Sequence, residues 1–215
     1  MTSESGRFVF FGTGACFSMA VLKHLFHSGF LPQAVVVPEY PAASNMPSLA
    51  GIASTGANKP NRLTTLAEKA SLSIIYAPES NKTLLAEKLA AFKPDFILVA
   101  CWPYLLAADI CTIASKAALN LHPSLLPEYR GPNPVEQQLQ AGERSIGVSL
   151  HLLTQRFDTG DIVFQEKIDL ADGDLSIEIV EQKAAEIGSS MFIEAIQVYG
   201  SEHWRPRKQS PKDSG

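Results

Sequence analysis

The sequence Leu-Asn-Leu-His-Pro-Ser-Leu-Leu-Pro-Glu-Tyr-Arg-Gly, residues 119–131, contains the end of a strand and the loop that follows it. Residues 117–121 are apolar except for Asn120, which predicts a buried strand. Asn120 and His122 are two residues apart, so their side chains project from one face of that strand. Pro123 ends the strand because it has no N–H to donate to a neighbour. Two hydrogen-bonding side chains are costly there unless they have a use, so we predict a functional site.

A second segment, residues 157–161, reads Phe-Asp-Thr-Gly-Asp. Asp158 precedes a Thr-Gly turn and an apolar strand that begins at Ile162. A carboxylate in this position could orient His122 or accept a proton. Asn120 would donate to a developing oxyanion, while His122 donates or shuttles a proton. The three side chains together indicate a site for acyl transfer.

The two segments resemble the signature of the 10-formyltetrahydrofolate-dependent formyltransferases, Asn-x-His-Pro-Ser-Leu-Leu-Pro-x-[Tyr/Trp]-Arg-Gly followed by an Asp-Thr-Gly-Asp loop. The matching residues are Asn120, His122, Pro123, Ser124, Leu125, Leu126, Pro127, Tyr129, Arg130, Gly131, Asp158, Thr159, Gly160 and Asp161. The resemblance implies formyl transfer from 10-formyltetrahydrofolate to a primary amine. In that reaction Asn120 and His122 would donate to the oxyanion, and Asp158 would accept the proton of the amine. It also implies the Rossmann-like α/β catalytic domain of that family.

The predicted elements alternate between strands and helices, which indicates an α/β fold with a doubly wound, mostly parallel sheet. The connection before the last strands is short, so we expect antiparallel pairing at that edge. Helices are predicted over residues 107–115 and 175–199, among others. We assign residues 1–200 to the catalytic domain and residues 201–215 to a polar tail that we expect to be flexible.

The loops beside the signature are expected to form the donor pocket. In the resembled family the loop after the central strand lines the pterin pocket, which here corresponds to Cys101, Trp102, Tyr104, Leu105 and Leu106. The opposite wall is expected to consist of Thr154, Gln155 and Arg156. Core packing is the alternative for Trp102, Leu105 and Leu106. A pocket is equally consistent with their position, because ligand pockets in open α/β sheets lie at the carboxyl ends of strands. Cys101 lacks a basic neighbour in the sequence, so we expect it to pack and not to act as a nucleophile.

Two further places could contact the acceptor. The Gly-Thr-Gly turn of residues 12–14 either is a tight turn between a strand and a helix or binds an anion through Thr13 and Gly14. The dinucleotide fingerprint is incomplete there, since Phe17 replaces its third glycine. Arg130 either binds a phosphate or carboxylate of the acceptor or pairs with Glu128.

Other residues of nucleophile or ligand type are expected to be structural. Ser124 lacks the glycine-flanked elbow of a nucleophilic serine, so we expect it to cap the loop. His151, on a strand predicted over residues 146–152, is interpreted as a satisfied or exposed strand histidine. No ligand spacing is present beyond His24 and His27 on an early helix, so we predict no metal site.

The composition restricts the compartment and the class of partner. The net charge of −4 argues against a broad nucleic-acid surface. The three cysteines lack paired spacing, and residues 1–7 lack a signal-peptide pattern. The apolar runs are too short for a membrane span. These features predict a cytoplasmic protein with no membrane partner. Residues 38–60 are rich in Pro, Ala, Ser, Gly and Asn and are predicted to be a functional lid or disordered.

The sequence favours a small-molecule amine as the acceptor, such as an amino sugar nucleotide or an amino acid derivative. Methionyl-tRNA is second, because residues 38–60 are nearly free of Lys and Arg, whereas the comparable loop of the tRNA enzymes is basic. We also expect no further acceptor-binding domain within this chain. Hydrolysis of formyltetrahydrofolate is a related alternative. A non-catalytic module that binds folate or a nucleotide is the alternative from another class, and it would not need Asn120, His122 and Asp158.

Overall fold

The computed structural model describes residues 6–39, 61–78 and 82–209. The strands are β1 (Phe8–Gly12), β2 (Ala34–Glu39), β3 (Ser73–Pro78), β4 (Phe96–Ala100), β5 (Ala117–His122), β6 (Ser145–Leu152) and β7 (Ile162–Asp169). The helices are α1 (Cys16–His27), α2 (Arg62–Lys69), α3 (Lys82–Ala90), α4 (Ala108–Cys111), α5 (Pro134–Gln140) and α6 (Ile177–Val198). The prediction of a lid or disorder for the 38–60 loop lies, from residue 40 onward, outside the described residues.

The strands form one seven-stranded sheet in the order β3-β2-β1-β4-β5-β6-β7. The first five strands in that order are parallel, and β6 is antiparallel to both β5 and β7. The predicted doubly wound, mostly parallel fold and its antiparallel edge are therefore confirmed. The strand order reverses between β1 and β4, so the carboxyl ends of β1, β4 and β5 open onto the same crevice.

Helices cover both faces of the sheet, which explains why the parallel strands are continuous apolar runs. On one face α1, α2, α5 and α6 pack against alternate strand residues such as Phe10, Leu98 and Leu119. On the other face α3 and α4 pack against the intervening residues, such as Phe11 and Val99. The second layer is smaller, and it leaves the ends of β5 and β6 available for polar side chains.

The helix predicted over residues 107–115 is much shorter in the structure, where α4 spans only Ala108–Cys111. Ile113 and Ala114 follow the helix and still pack against the core. The apolar pattern therefore reflects the burial of an irregular segment and not a longer helix.

The segment after α6, where we expected a flexible tail, contacts the rest of the protein at several of the residues up to 209. Trp204 packs on Tyr199 with ring centroids 4.8 Å apart. Arg207 forms an antiparallel bridge with Ile162 at the start of β7, with N···O distances of 2.8 and 2.9 Å in the two directions. Residues 205–209 are therefore held against the sheet edge that carries the Asp158 loop. Residues 210–215 lie outside the described part of the chain.

Candidate active site at the carboxyl end of β5

Four polar side chains lie on one face of the antiparallel pair β5–β6. Asn120 is paired with His151 across the two strands, and His122 is paired with Ser149. The alternate residues of the same strands, such as Leu119 and Leu121, face the larger hydrophobic core. Because directly opposite residues of an antiparallel pair project from the same face, the register brings all four polar side chains together.

The loop before β7 brings Asp158 to this face. Asp158 has a left-handed backbone conformation with φ of 54°, which is uncommon for a residue with a side chain. Gly160 lies so close to the backbone of Leu152 that an added Cβ would be 1.7 Å from its carbonyl oxygen. Only glycine fits at that position. The Asp158 carboxylate is also held from the signature loop, because its Oδ2 accepts a 2.9 Å hydrogen bond from the backbone N of Gly131.

Asn120, His122 and Asp158 converge, as the sequence predicted. Asn120 Nδ2 donates to Asp158 Oδ1 over 3.2 Å, and His122 Nδ1 lies 3.6 Å from the same oxygen. His151 Nε2 lies 3.5 Å from that oxygen and 3.0 Å from Asn120 Nδ2. His122, His151 and Asp158 are each more than 90% buried. One carboxylate oxygen is therefore shared by an amide and two imidazoles in a water-poor environment.

The hydrogen-bond partners define which nitrogen of each imidazole carries a proton. His122 Nε2 lies 2.8 Å from the carbonyl oxygen of Tyr129, and a carbonyl can only accept, so this nitrogen donates. In the neutral ring, Nδ1 is then the unprotonated base that faces Asp158. His151 Nδ1 donates to the carbonyl of Leu152 over 2.9 Å by the same argument. Its Nε2 then accepts from Asn120, which fixes the orientation of that amide.

Burial and charge act in opposite directions on the two central groups. Burial lowers the pKa of His122 below its ordinary value, and His151 adds to this effect, while the anion of Asp158 and the Tyr129 carbonyl oppose it. Burial alone would raise the pKa of Asp158, but the positive charge that either imidazole carries when it is protonated, together with the Gly131 amide, lowers it. At neutral pH the site therefore contains an anionic carboxylate beside a neutral imidazole that can take up a proton.

The signature loop is anchored by buried polar side chains. Ser149 Oγ donates to the carbonyl of Ser124 over 2.6 Å and accepts from the backbone N of Leu126 and from Gln165 Nε2. Ser124 Oγ donates to the carbonyl of Glu128 over 2.7 Å, so the prediction that it caps the loop is confirmed. The hydroxyl of Ser124 is thus a structural group of the loop.

Arg130 contacts the Asp158 loop in this structure. Its Nε donates to the Asp158 carbonyl over 3.1 Å, and its Nη2 donates to Gln209 Oε1 over 2.6 Å. From the sequence we expected Arg130 to bind an anion of the acceptor or to pair with Glu128. The contacts with Asp158 and Gln209 were not among these alternatives.

A cavity of about 410 Å³ lies beside the loop that follows β4. Trp102, Tyr104, Leu105 and Leu106 line it, together with residues of α3, α4 and the end of β3. Trp102 Nε1 is buried and has no hydrogen-bond acceptor among the described residues. Four of the residues that we expected to bind the donor therefore line a cavity of ligand size.

The opposite wall predicted for this pocket is not part of that cavity. Thr154 Oγ1 bonds to Thr159 Oγ1 and to the carbonyl of Arg156, so it stabilises its own loop. Gln155 and Arg156 are exposed. Cys101 also does not line the cavity; burial raises its pKa to about 12, which makes the thiol a poor nucleophile at neutral pH.

Thr13 and Gly14 lie at the start of α1, at the same crevice as the β4 loop. The buried Thr13 hydroxyl accepts from the backbone N of Ala15 over 3.2 Å, and the Thr13 N–H donates to Ser18 Oγ. These bonds are those of a tight turn, which was one of the two interpretations of the sequence. The side of Gly14 that a Cβ would occupy faces Asn61 at the start of α2.

Among residues 6–39, 61–78 and 82–209, no group of three His, Cys, Asp or Glu side chains could hold a metal ion. Within the same residues, no helix combines the length and apolar character that crossing a bilayer requires.

Sequence reasoning missed two residues of this site. His151 was interpreted as a satisfied or exposed strand histidine, and both of its ring nitrogens do have partners, but its place in the site was not foreseen. Ser149 and His151 alternate with Val148 and Leu150 in the way that Asn120 and His122 alternate with leucines. That shared alternation was the signal. Gln209 was assigned to the tail, where a single polar residue gives no signal.

The formyl transferase family model matches residues 6–196 of the chain. The methionyl-tRNA formyltransferase of Thermotoga maritima is 30% identical over 192 residues, which cover 89% of this chain and 58% of that protein. The chain thus spans somewhat more than half the length of the curated relative.

Solved structures share the fold. The glycinamide ribonucleotide transformylase 1 of Symbiobacterium toebii matches with a TM-score of 0.67 at 21% identity, covering 95% of this chain and 94% of that one. A formyltetrahydrofolate deformylase from Pseudomonas syringae pv. tomato matches with a TM-score of 0.68 at 18% identity, covering 91% and 62% respectively. At these identities the likeness establishes the architecture alone.

Proposed function

The chain belongs to the formyl transferase family, and from this premise we propose that it transfers a formyl group from 10-formyltetrahydrofolate to the primary amine of a small acceptor. The observation that carries the proposal is that Asn120 Nδ2 and His122 Nδ1 both approach Oδ1 of Asp158. A module that merely binds folate or a nucleotide has no need for a buried carboxylate that faces a neutral imidazole.

His122 and Asp158 supply the proton transfers of this reaction. Attack of an amine on a formyl carbon creates a tetrahedral oxyanion, and the amine must lose a proton. The unprotonated Nδ1 of His122 accepts that proton, either directly or through water, and the resulting imidazolium is stabilised by Asp158 at 3.6 Å. The same imidazolium then returns a proton to the leaving nitrogen of the donor.

Asn120 stabilises the oxyanion only after it exchanges a hydrogen bond. Its Nδ2 already donates to Asp158 and His151, so one of these acceptors must be replaced by the oxyanion. Removal of one such donor typically costs about 3–4 kcal/mol of transition-state stabilisation. A hydrogen bond to the charged Asp158 is the stronger of the two, so His151 is the more expendable partner.

The donor is proposed to bind against the loop from Trp102 to Leu106. The residues present fit a pterin, since the lining is apolar and aromatic and the buried Trp102 Nε1–H needs an acceptor. Bound donor would supply the formyl group itself. The role of Thr154, Gln155 and Arg156 is then limited to shaping the loop that presents Asp158.

The acceptor is proposed to be a small amine, for which the charge distribution is the argument. A tRNA acceptor is held through several phosphates by Lys and Arg, yet the net charge is −4 and residues 38–60 include one basic residue, Lys59. Methionyl-tRNA remains the second candidate because of the sequence relationship to methionyl-tRNA formyltransferases. Water as acceptor is the third, since an imidazole and a carboxylate can also activate a water molecule.

The test is a competition for one donor. Purified protein is incubated with 10-formyltetrahydrofolate at moderate salt in the presence of amino sugar nucleotides, amino acid derivatives, methionyl-tRNA or no acceptor. Formylation of a small amine supports the proposal. Efficient, salt-sensitive formylation of the tRNA would show that the acceptor is methionyl-tRNA and not a small amine. Formate release without any acceptor would indicate a hydrolase. Binding of folate with none of these reactions would contradict the transferase assignment.

A further inference from the structure

The Asp158 loop is held by a residue from the far end of the chain. Gln209 Nε2 donates to the carbonyl of Asp158 over 2.9 Å and to the carbonyl of Gly160 over 2.7 Å. Its Oε1 accepts from Arg130 Nη2 over 2.6 Å and from Arg130 Nε over 3.2 Å. All four hydrogen-bonding capacities of one amide are thus used within the catalytic loops, although Gln209 lies 51 residues beyond Asp158.

The backbone of Asp158 needs such support because its left-handed conformation is strained. Strained residues persist where the surrounding structure fixes them more than once. The Asp158 carbonyl accepts two hydrogen bonds, from Arg130 and from Gln209. The conformation at this residue sets the direction of its carboxylate toward His122.

Gln209 is itself positioned by the segment that precedes it. The backbone bridge between Arg207 and Ile162 fixes the segment two residues away. Arg207 Nη2 also donates to Gln165 Oε1 over 2.6 Å, and Gln165 Nε2 contacts the signature loop at Leu126. The segment therefore contacts both loops of the site, which makes Gln209 part of a connected hydrogen-bond network.

We propose that Gln209 is a positioning residue for the reaction, which fixes the carboxylate of Asp158 against His122 by bonding the carbonyls on both sides of Thr159 and the guanidinium of Arg130. The predicted effect of Gln209 on kcat rests on the proposed formyl transfer, whereas its predicted effect on the pKa of His122 does not. Gln209 lies beyond the residues that match the family model, 6–196, so the proposal extends the site outside the matched region.

The test compares Gln209→Ala and Gln209→Glu with Lys208→Ala as a control. Lys208 is the exposed neighbour in the same segment, so its replacement preserves the backbone and changes no bond to the loop. Gln209→Glu keeps the acceptor for Arg130 but places a carboxylate against the carbonyls of Asp158 and Gly160. This variant therefore separates the contact of Gln209 with Arg130 from its contacts with the two carbonyls.

The first readout is the titration of His122, followed through its imidazole NMR signals in the full chain. The charged and titratable groups that face this ring are Asp158 and His151, with the Tyr129 carbonyl on the other nitrogen. Asp158 raises the pKa of His122, so a displaced carboxylate lowers it. We expect Gln209→Ala to shift the titration to lower pH and Lys208→Ala to leave it unchanged. Gln209→Glu is compared by its rate, because its added anion would itself raise the pKa of His122.

The second readout is kinetic. A displacement of about 1 Å at a catalytic group can reduce a rate by about 10²-fold. We expect kcat for formyl transfer to fall by about this factor in both Gln209 variants, with little change in KM for the donor. An unchanged His122 titration in folded Gln209→Ala would overturn the proposal, as would wild-type kcat in Gln209→Glu. If the titration moves but the wild-type protein transfers no formyl group, the proposed function fails while the positioning role stands.

Discussion

Replacement of Asp158 by Asn tests how much the buried carboxylate contributes to the proton transfer. Asn keeps the size of the side chain and an oxygen that can accept from the Gly131 amide, so the fold should persist. The variant removes the charge that lies 3.6 Å from His122 Nδ1. At an effective dielectric constant of about 20, two unit charges at that distance attract by about 4–5 kcal/mol.

That attraction stabilises the imidazolium and not the neutral ring, so its loss falls on the transition state. A loss of about 4 kcal/mol corresponds to a decrease in rate of about 10³-fold. We therefore expect kcat/KM of Asp158→Asn to fall by about that factor. The pKa of His122 should fall further below its ordinary value, because burial and His151 continue to lower it after the opposing anion has been removed.

The assay is single-turnover formyl transfer across pH 5–9, paired with an NMR titration of His122 in the same samples. Asp169→Asn is the matched control, since it removes a carboxylate from the exposed end of β7, far along the strand from the site. A kcat/KM of Asp158→Asn within about threefold of wild type would refute the reasoning. A pKa of His122 in Asp158→Asn that equals the wild-type value would also refute it.

Three further predictions concern the support of the site. Ser149→Ala removes the partner of the Ser124 carbonyl and of the Leu126 N–H, and it should lower the free energy of unfolding by about 2–6 kcal/mol in urea titrations, at about 1–3 kcal/mol for each of these two buried groups. Gly160→Ala, whose Cβ would overlap the Leu152 carbonyl, should be less stable than Gly173→Ala, whose Cβ meets open space at an ordinary backbone conformation; equal stability would show that the loop can move. The Asp158 carboxylate has a lowered pKa, so its contribution to stability is present above the unfolded pKa of about 3.9 and disappears as the pH falls through the folded value. The difference in unfolding free energy between wild type and Asp158→Asn should accordingly shrink below about pH 4, and a difference that grows there would contradict the assignment.

The sequence allowed the fold and the centre of the site to be predicted because both depend on short-range patterns. Strand and helix periodicity determined the order of the elements, and the spacing of Asn120 and His122 placed them on one face of β5. The short connection between β6 and β7, residues 153–161, correctly indicated antiparallel pairing at that edge. These features require no knowledge of which distant residues meet.

The residues that were missed depend on long-range register, which local alternation alone does not specify. His151 joins the site because β6 pairs with β5 so that it lies opposite Asn120, and no local pattern specifies that register. Gln209 reaches Asp158 through a single bridge between Arg207 and Ile162, which follows from packing of the whole sheet edge. Arg130 similarly bonds to a backbone carbonyl and an amide, partners that charge pairing does not suggest.

His122 is the group that moves the proton in the proposed reaction. The decisive measurement is the rate of formyl loss from 10-formyltetrahydrofolate in the presence of a responsive amine, compared between wild type and His122→Ala, with circular dichroism to establish that both are folded. We predict that wild type consumes the donor and that folded His122→Ala is slower by about 10²–10⁴-fold. Donor consumption by folded His122→Ala at close to the wild-type rate would contradict the account.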